Sequence, residues 1–145
     1  KPAPTPTASI SDEQAAYDAS TKTVTDMRSW IAANPGQEIP AQYATAAFIE
    51  ETRQATAKVQ DGTRVEGADK LLWAKASDYR VESVTVSTCW EVHAKLLDKN
   101  GVNVRVTPDG QPIADGSQTG WTYRLVPGNE RGTWLVSSAQ ATTTC

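Results

Sequence analysis

The sequence predicts an α+β fold in which N-terminal helices pack on one face of an antiparallel β-sheet. Two stretches with helical periodicity, about residues 11–34 and 41–60, come first in the chain. Stretches in which apolar and polar residues alternate follow from about residue 72. Helices grouped ahead of strands are typical of α+β folds, whereas α/β folds alternate the two element types along the chain.

Length and composition indicate one globular domain, which we expect to span residues 11–145. The chain has 145 residues, of which 39% are hydrophobic and 21% are charged, and these values fit a single folded domain. The net charge is −3 and no cluster of Lys or Arg is present, which argues against a nucleic-acid partner. No apolar run approaches the ~20 residues of a membrane span.

Residues 1–10 differ in composition from the rest of the chain. Pro2, Pro4 and Pro6 alternate with small residues, a pattern that disfavours helix and favours extended backbone. We expect a disordered tether, with two equal interpretations: a spacer that holds the domain away from a membrane or cell wall, or an ordinary disordered mature N-terminus.

The cysteine content predicts a cellular location. The chain has two cysteines, Cys89 within the longest alternating segment and Cys145 as the last residue. An even count, with the chain end placed to be pinned to a central strand, indicates one structural disulfide and an oxidising compartment. We therefore expect an extracytoplasmic protein, secreted or anchored to the outer face of the cell membrane, whose signal peptide, lipid anchor or transmembrane N-terminus was removed before residue 1.

The first predicted helix begins with a capping box. Ser11-Asp12-Glu13-Gln14 supplies a capping hydroxyl, a reciprocal Gln and two acids at the positive end of the helix dipole. The Asn34-Pro35-Gly36 segment ends the helix. Its apolar stripe, which we expect to face the core, contains Tyr17, Val24, Met27 and Ile31.

A second helix is predicted over residues 41–60. Pro40 suits the first turn of a helix, and Asp61-Gly62 would end it. One side of this helix carries small and apolar residues: Ala44, Phe48, Ala55 and Val59.

At least four strands are predicted after Gly67. They cover residues 72–74, 79–97, 120–127 and about 132–142, and the last two form a hairpin. An Asn100-Gly101 turn precedes a further alternating arm, and residues 107–120 are the longest irregular stretch.

The segment 79–97 is the clearest predicted strand. One face, expected to be core, carries Val84, Val86, Thr88, Trp90, Val92, Ala94 and Leu96. Cys89 lies on the opposite face, where we expect it to meet the chain end. Trp90 is predicted to be a core anchor.

Three of these segments resemble a known family. The string Ser83-Val84-Thr85-Val86-Ser87-Thr88-Cys89-Trp90-Glu91-Val92, a Gly-Thr-Trp-Leu-Val strand and a Thr-Thr-Thr-Cys terminus resemble the secreted proteins and lipoproteins of actinobacteria with a nuclear transport factor 2-like (cystatin-like) fold. The resemblance covers roughly residues 40–145. The acid follows Cys89 by two positions, at Glu91, and no Asp lies beside it, which departs from the family pattern. The resemblance implies a curved antiparallel sheet that wraps over the helices as a cone, with a Cys89–Cys145 disulfide closing the last strand onto the middle one.

The sequence offers few groups for catalytic chemistry. His93 is the single histidine, so no multi-histidine metal site can be assembled, and we expect it to be a solvated or cross-strand-paired side chain. No cofactor site and no catalytic residue are predicted. Enzymes of the cone fold place acids and tyrosines in the cavity, and Asp69, Asp78 and Tyr79 are the candidates for its mouth, although Asp78 and Tyr79 more simply mark a bend.

A pocket inside the cone is a second expectation. Four tryptophans could line such a pocket, but filling a small core is the default expectation for them. The candidate pocket residues are Trp73, Asp78, Tyr79, Trp90, Trp121 and Trp134.

Three functional classes follow from these observations. The first is a non-catalytic extracytoplasmic interaction or scaffold domain that binds a protein partner in the cell envelope, in a secretion, conjugation or cell-envelope process. The second is a binding module for a small apolar ligand in the cone cavity. The third is an isomerase-like enzyme of the ketosteroid type or a cyclase-like enzyme. We expect a monomer or a dimer.

Residues 1–9 are predicted to be dispensable for folding, because they carry no large apolar side chain to bury. Deleting them should leave the thermal unfolding midpoint nearly unchanged, as measured by calorimetry. A drop of many degrees would show that the segment docks on the domain.

Overall fold

A computed structural model describes residues 11–58, 62–142 and 145. The expectations for residues 1–10, and for the end of the second helix at Gln60-Asp61, lie outside these residues. Within them the chain forms two helices and six strands. In chain order these are α1 (Asp12–Ala33), α2 (Ala46–Ala57), β1 (Arg64–Glu66), β2 (Lys70–Arg80), β3 (Ser83–Glu91), β4 (Lys95–Leu97), β5 (Gln118–Pro127) and β6 (Trp134–Thr142).

The strands form two antiparallel sheets. The main sheet has the order β2-β3-β5-β6, and β1 pairs with β4 in a separate two-stranded sheet. Helix α1 packs on β2, β3 and β6, and α2 contacts β6. The predicted α+β class, with helices on an antiparallel sheet, is therefore confirmed. The finer expectation of a nuclear transport factor 2-like cone stays a prediction.

Helix α1 follows the sequence prediction. The Ser11 hydroxyl accepts a hydrogen bond from the backbone N–H of Gln14 at 3.1 Å, and the helix ends at Ala33, before Asn34. Val24 and Met27 are buried, and Tyr17 and Ile31 pack partly buried against the core. The Ser11 cap and the apolar stripe thus define the start and the inward face of the helix, whereas the Gln14 side chain donates to Asp18 Oδ1 and does not complete the predicted capping box.

Helix α2 is shorter than the predicted 41–60. It begins at Ala46 because the Thr45 side chain caps it, accepting from the backbone N–H of Phe48. The prediction that Pro40 lies in its first turn is wrong. Backbone hydrogen bonds tie residues 43–45 to β6 instead, from Thr45 N to Val136 O and from Val136 N to Tyr43 O, both at 2.9 Å.

The predicted strand 79–97 is divided between three strands and both sheets. A turn at Val81 and Glu82 separates β2 from β3, and β3 ends at Glu91. The backbone N–H groups of His93 and Ala94 donate to the Asp69 carboxylate, so they make no strand ladder there. A buried side chain takes the place of a partner strand at these two residues. The prediction that the core face extends to Leu96 is wrong, because Leu97 is the buried residue of β4.

The remaining elements keep the predicted order with shifted bounds. β2 is longer than the predicted 72–74, β5 and β6 form the predicted hairpin, and β1 was not predicted. The predicted arm after Asn100-Gly101 forms only isolated bridges, Leu97 with Asn103 and Val106 with Pro112.

The core lies between α1 and the inner face of the main sheet. Val84 and Val86 of β3 are fully buried against it, and Trp90 is 6% exposed. On the other face of β3, Cys89 forms a disulfide with Cys145 that links residues 56 positions apart.

The disulfide is predicted to stabilise the fold. Replacing Cys145 with Ser should lower the free energy of unfolding by about 4 kcal/mol, because it reopens a long loop in the unfolded chain. Urea unfolding followed by fluorescence measures this loss, and the parent protein under reductant should match the variant. A loss below about 1 kcal/mol would show that the crosslink does not restrict the unfolded ensemble.

Candidate binding groove

An open groove lies between the helices and the small sheet. It has a volume of ≈ 1080 Å³ and is bounded by the C-terminal part of α1, residues 34–39, α2 and the β1–β4 pair. Its walls carry the aliphatic side chains of Ile31, Ile39, Ile49, Val65 and Leu96. Arg28, Asp69 and Trp90 also line it, and we call these three residues the groove floor.

Arg28 is held against an aromatic ring and a tyrosine. Its guanidinium carbon lies 4.1 Å from the ring centroid of Trp90, within the range of a cation–π contact. Its Nη1 donates to the Tyr123 hydroxyl at 2.8 Å. The Trp90 indole N–H donates in turn to Thr88 Oγ1 at 2.7 Å. The position of the Arg28 side chain is therefore fixed by groups of the core.

Asp69 is the most heavily bonded carboxylate among the described residues. Its side chain is 5% exposed. Arg105 donates to both carboxylate oxygens, at 2.9 and 2.8 Å, and Oδ1 also accepts from the backbone N–H groups of His93 and Ala94 at 2.9 Å each. Such a two-pronged Arg–carboxylate pair combines charge with directional hydrogen bonds. Asp69 is thus a fixed structural anion.

The ionisation states follow from these contacts. Burial alone would raise the pKa of Asp69, but the hydrogen bonds from Arg105, Ala94 and His93, with the charge of Arg105, lower it to about 2. Burial raises the pKa of the Tyr123 hydroxyl, against the opposing charge of Arg28. At neutral pH the cluster therefore holds two guanidinium cations, one carboxylate and a neutral phenol.

The chain places Asp69 here through the short link between β1 and β2. Gly67 has φ +77°, and a Cβ added to it would lie 3.3 Å from the His93 carbonyl oxygen. Glycine at this position lets the link approach residues 93–94 closely enough for the Asp69 carboxylate to reach their N–H groups.

The six predicted pocket residues are distributed over the molecule. Trp90 is in the groove floor, whereas Trp134 is buried beside a small depression lined by Lys22 and Tyr43. Trp121 stacks on Tyr123 at a centroid distance of 6.4 Å.

The other three pocket residues also lie outside the groove lining. Trp73 pairs in register with Cys89, on the outer face of the sheet, and is 44% exposed. Asp78 has a left-handed φ of 55° at an irregularity of β2, and the Tyr79 N–H donates to the Tyr17 hydroxyl.

Sequence reasoning missed Arg28 and Arg105. A signal for Arg28 was present, because it falls on the apolar stripe of α1, four positions after Val24 and three before Ile31. A single charge inside an apolar stripe indicates a buried ion pair or a site. Arg105 carried no such signal, since its partner Asp69 lies 36 positions away.

His93 lies outside the groove lining and is paired on the surface, as predicted. Its Nε2 lies 2.6 Å from a Glu91 oxygen and its Nδ1 lies 3.2 Å from an Asp115 oxygen. Hydrogen bonds to Glu91 and Asp115 raise its pKa. Among the residues described, no group of three or more His, Cys, Asp or Glu is placed to hold a metal ion.

Comparison with known proteins gives a likeness of fold. No protein-family model matches the chain, and no curated protein matches it either. The chain is similar to the crystal structure of the intermembrane space region of the chloroplast protein ARC6, with a TM-score of 0.57 and 14% identity, over 88% of this chain and 97% of that one. The likeness supports the α+β fold. In the described parts of the chain, no helix is both long and apolar enough to cross a membrane.

Asp69→Asn is predicted to destabilise the protein by about 3–5 kcal/mol, because it leaves the Arg105 charge without its carboxylate. Chemical denaturation measures the difference from the parent. Asp18→Asn, at an exposed position of α1, is the control and should stay within about 0.5 kcal/mol of the parent.

The pH dependence of this loss is set by the lowered pKa. The stability from Asp69 ionisation, about 2 kcal/mol, is fully present above the ordinary pKa of 3.8 and disappears as the pH falls through about 2. The difference in the free energy of unfolding between the parent and Asp69→Asn should therefore become smaller as the pH falls from about 4 to about 2. A gap that is constant over this range would contradict the ion-pair account.

Proposed function

We propose that this protein is a non-catalytic extracytoplasmic interaction domain that binds a segment of a protein partner in the groove. The observation that carries the proposal is the groove itself, with aliphatic walls open to solvent and a floor that is fixed by hydrogen bonds. Exposed apolar surface rimmed by polar groups is typical of interaction sites. The partner belongs to a secretion, conjugation or other cell-envelope process.

Two observations support the extracytoplasmic location. The Cys89–Cys145 disulfide fits an oxidising compartment, because disulfides are rare in the reducing cytosol. The ARC6 structure with the similar fold is described as an intermembrane space region. This second point is an analogy of fold only.

The groove chemistry favours binding over catalysis. A general acid or base works best when its pKa lies near the working pH. The pKa of Asp69 is lowered to about 2, and both of its oxygens already accept hydrogen bonds from Arg105. The pKa of Tyr123 is raised above its ordinary value. Neither group is suited to proton transfer at neutral pH, so the isomerase-like alternative ranks last.

A small apolar ligand is the second candidate, and the aliphatic walls favour it. Small-molecule sites usually have volumes of about 300–1,000 Å³ and bury most of the ligand surface. The groove, at ≈ 1080 Å³ and open to solvent, lies just above that range. Its size and openness suit a chain segment better than a small molecule.

Selection from a displayed library of short random peptides tests the proposal. The target is the full oxidised chain, and the discriminating variant is Ala55→Trp. Ala55 is exposed on α2 and lines the groove, so an indole there would fill it. Gln54→Trp adds the same bulk at an exposed neighbouring position outside the groove lining and is the matched control.

We expect peptides whose affinity falls by about tenfold or more on Ala55→Trp and stays unchanged on Gln54→Trp. Peptides that bind both variants equally would place the interaction surface elsewhere. Failure to select any groove-directed peptide would contradict the proposed function.

A further inference from the structure

We propose that the partner segment places an acidic side chain, Asp or Glu flanked by aliphatic residues, against the guanidinium of Arg28. This inference rests on the proposed function and adds the chemistry of the partner.

Two guanidinium groups, those of Arg28 and Arg105, share one carboxylate at the groove floor. Arg105 makes the close, two-pronged pair with Asp69, whereas the nearest Arg28 nitrogen lies 3.9 Å from that carboxylate, beyond hydrogen-bond distance. The hydrogen bond of Arg28 goes to Tyr123, whose hydroxyl is neutral. Asp69 therefore faces two guanidinium cations, Arg105 at hydrogen-bond distance and Arg28 in a longer ion pair, so this cluster of three side chains carries one excess positive charge.

Within the described residues, the other charged groups near the groove form no ion pair with Arg28. Arg53 pairs with Glu50, and Arg64 lies 3.4 Å from Glu66. Glu38 also lines the groove, and no ion pair with Arg28 is formed by it within the described residues. Arg28 is thus the cation that an incoming carboxylate would neutralise.

The geometry of Arg28 suits a carboxylate. A guanidinium has five N–H donors in one plane, and a single one is used in the hydrogen bond to Tyr123. The side chain is 20% exposed and lines the groove, and the Trp90 ring supports its face. Because the guanidinium is already oriented, little side-chain entropy is lost when a carboxylate binds it in the two-pronged mode.

The walls require that the occupant also carry apolar surface. Val65 on β1 is 46% exposed in this groove, and Ile31, Ile49 and Leu96 also line it. A peptide with aliphatic residues beside its acid covers these side chains while its carboxylate meets Arg28. A purely polar segment would leave the aliphatic walls exposed to water. A basic segment would be repelled by the guanidinium of Arg28.

A double-mutant cycle on the selected groove-directed peptides tests the inference. Peptide acids are changed to Asn or Gln, and Arg28 is changed to Gln, with binding measured by calorimetry or fluorescence anisotropy. Arg28→Lys keeps the charge but loses the planar fork. The affinities of the changed peptides are also measured on the parent protein. The contribution of the peptide acid to binding is therefore known even if an Arg28 variant folds poorly.

We expect Asp or Glu between aliphatic residues to be enriched among the peptides. Neutralising that acid should weaken binding to the parent by about tenfold or more, the range for a hydrogen bond to a charged group. The same change should have little effect on Arg28→Gln, and Arg28→Lys should give an intermediate affinity.

Two results would overturn the inference. The inference is refuted if the groove-directed peptides show no enriched acid. It is also refuted if removal of the acid weakens binding equally to the parent and to Arg28→Gln. Either result leaves the proposed function standing. A different result would refute both the inference and the proposed function: no peptide is selected, and dodecanoate binds saturably to the parent but not to Ala55→Trp. The groove would then be a small-molecule site.

Discussion

The hydrogen bonds of the Asp69 carboxylate hold together the part of the molecule that carries the groove. One side chain accepts from two backbone N–H groups after β3 and pairs with Arg105 from the segment that follows β4. Arg105 also donates to the Ala94 carbonyl at 2.9 Å. The β1–β2 link, the end of β3 and the later segment are therefore joined at one point. A buried charge is stabilising only when its partners are all present, so these three segments depend on one another.

The consequence for the groove is a fixed floor. Asp69 ends the β3 ladder, which leaves β4 to pair with β1 as a separate small sheet beside α2. That small sheet supplies one wall of the groove. Because Arg105 occupies the carboxylate, Arg28 is left stacked on Trp90 with its charge directed to a neutral tyrosine. The same interaction thus shapes the cleft and determines its electrostatic character.

Local signals were sufficient to predict the helices and most strands. The Ser11 cap marks the start of α1. The Val24 and Met27 stripe and the Val84 and Val86 alternation each indicate burial from neighbouring residues alone. The sequence did not predict where β3 ends, because that depends on Asp69, a residue 24 positions before His93. The start of α2 was misplaced since the pairing of Tyr43 and Thr45 with Val136 competes with helix formation. Of the site, only Trp90 and Asp69 were among the predicted candidates, while Arg28 and Arg105 act through long-range contacts.

The central claim is that Asp69 replaces a strand at the end of β3, and amide hydrogen exchange tests it most directly. The His93 and Ala94 amides should exchange slowly in the parent protein, because each donates to a carboxylate that is 5% exposed. In Asp69→Ala, which removes the accepting oxygen, both should lose protection, while the Val86 amide in the middle of β3 should exchange no faster than global unfolding of that variant allows. If His93 and Ala94 exchange in the parent as fast as exposed loop amides, the carboxylate does not hold this segment and the account is contradicted.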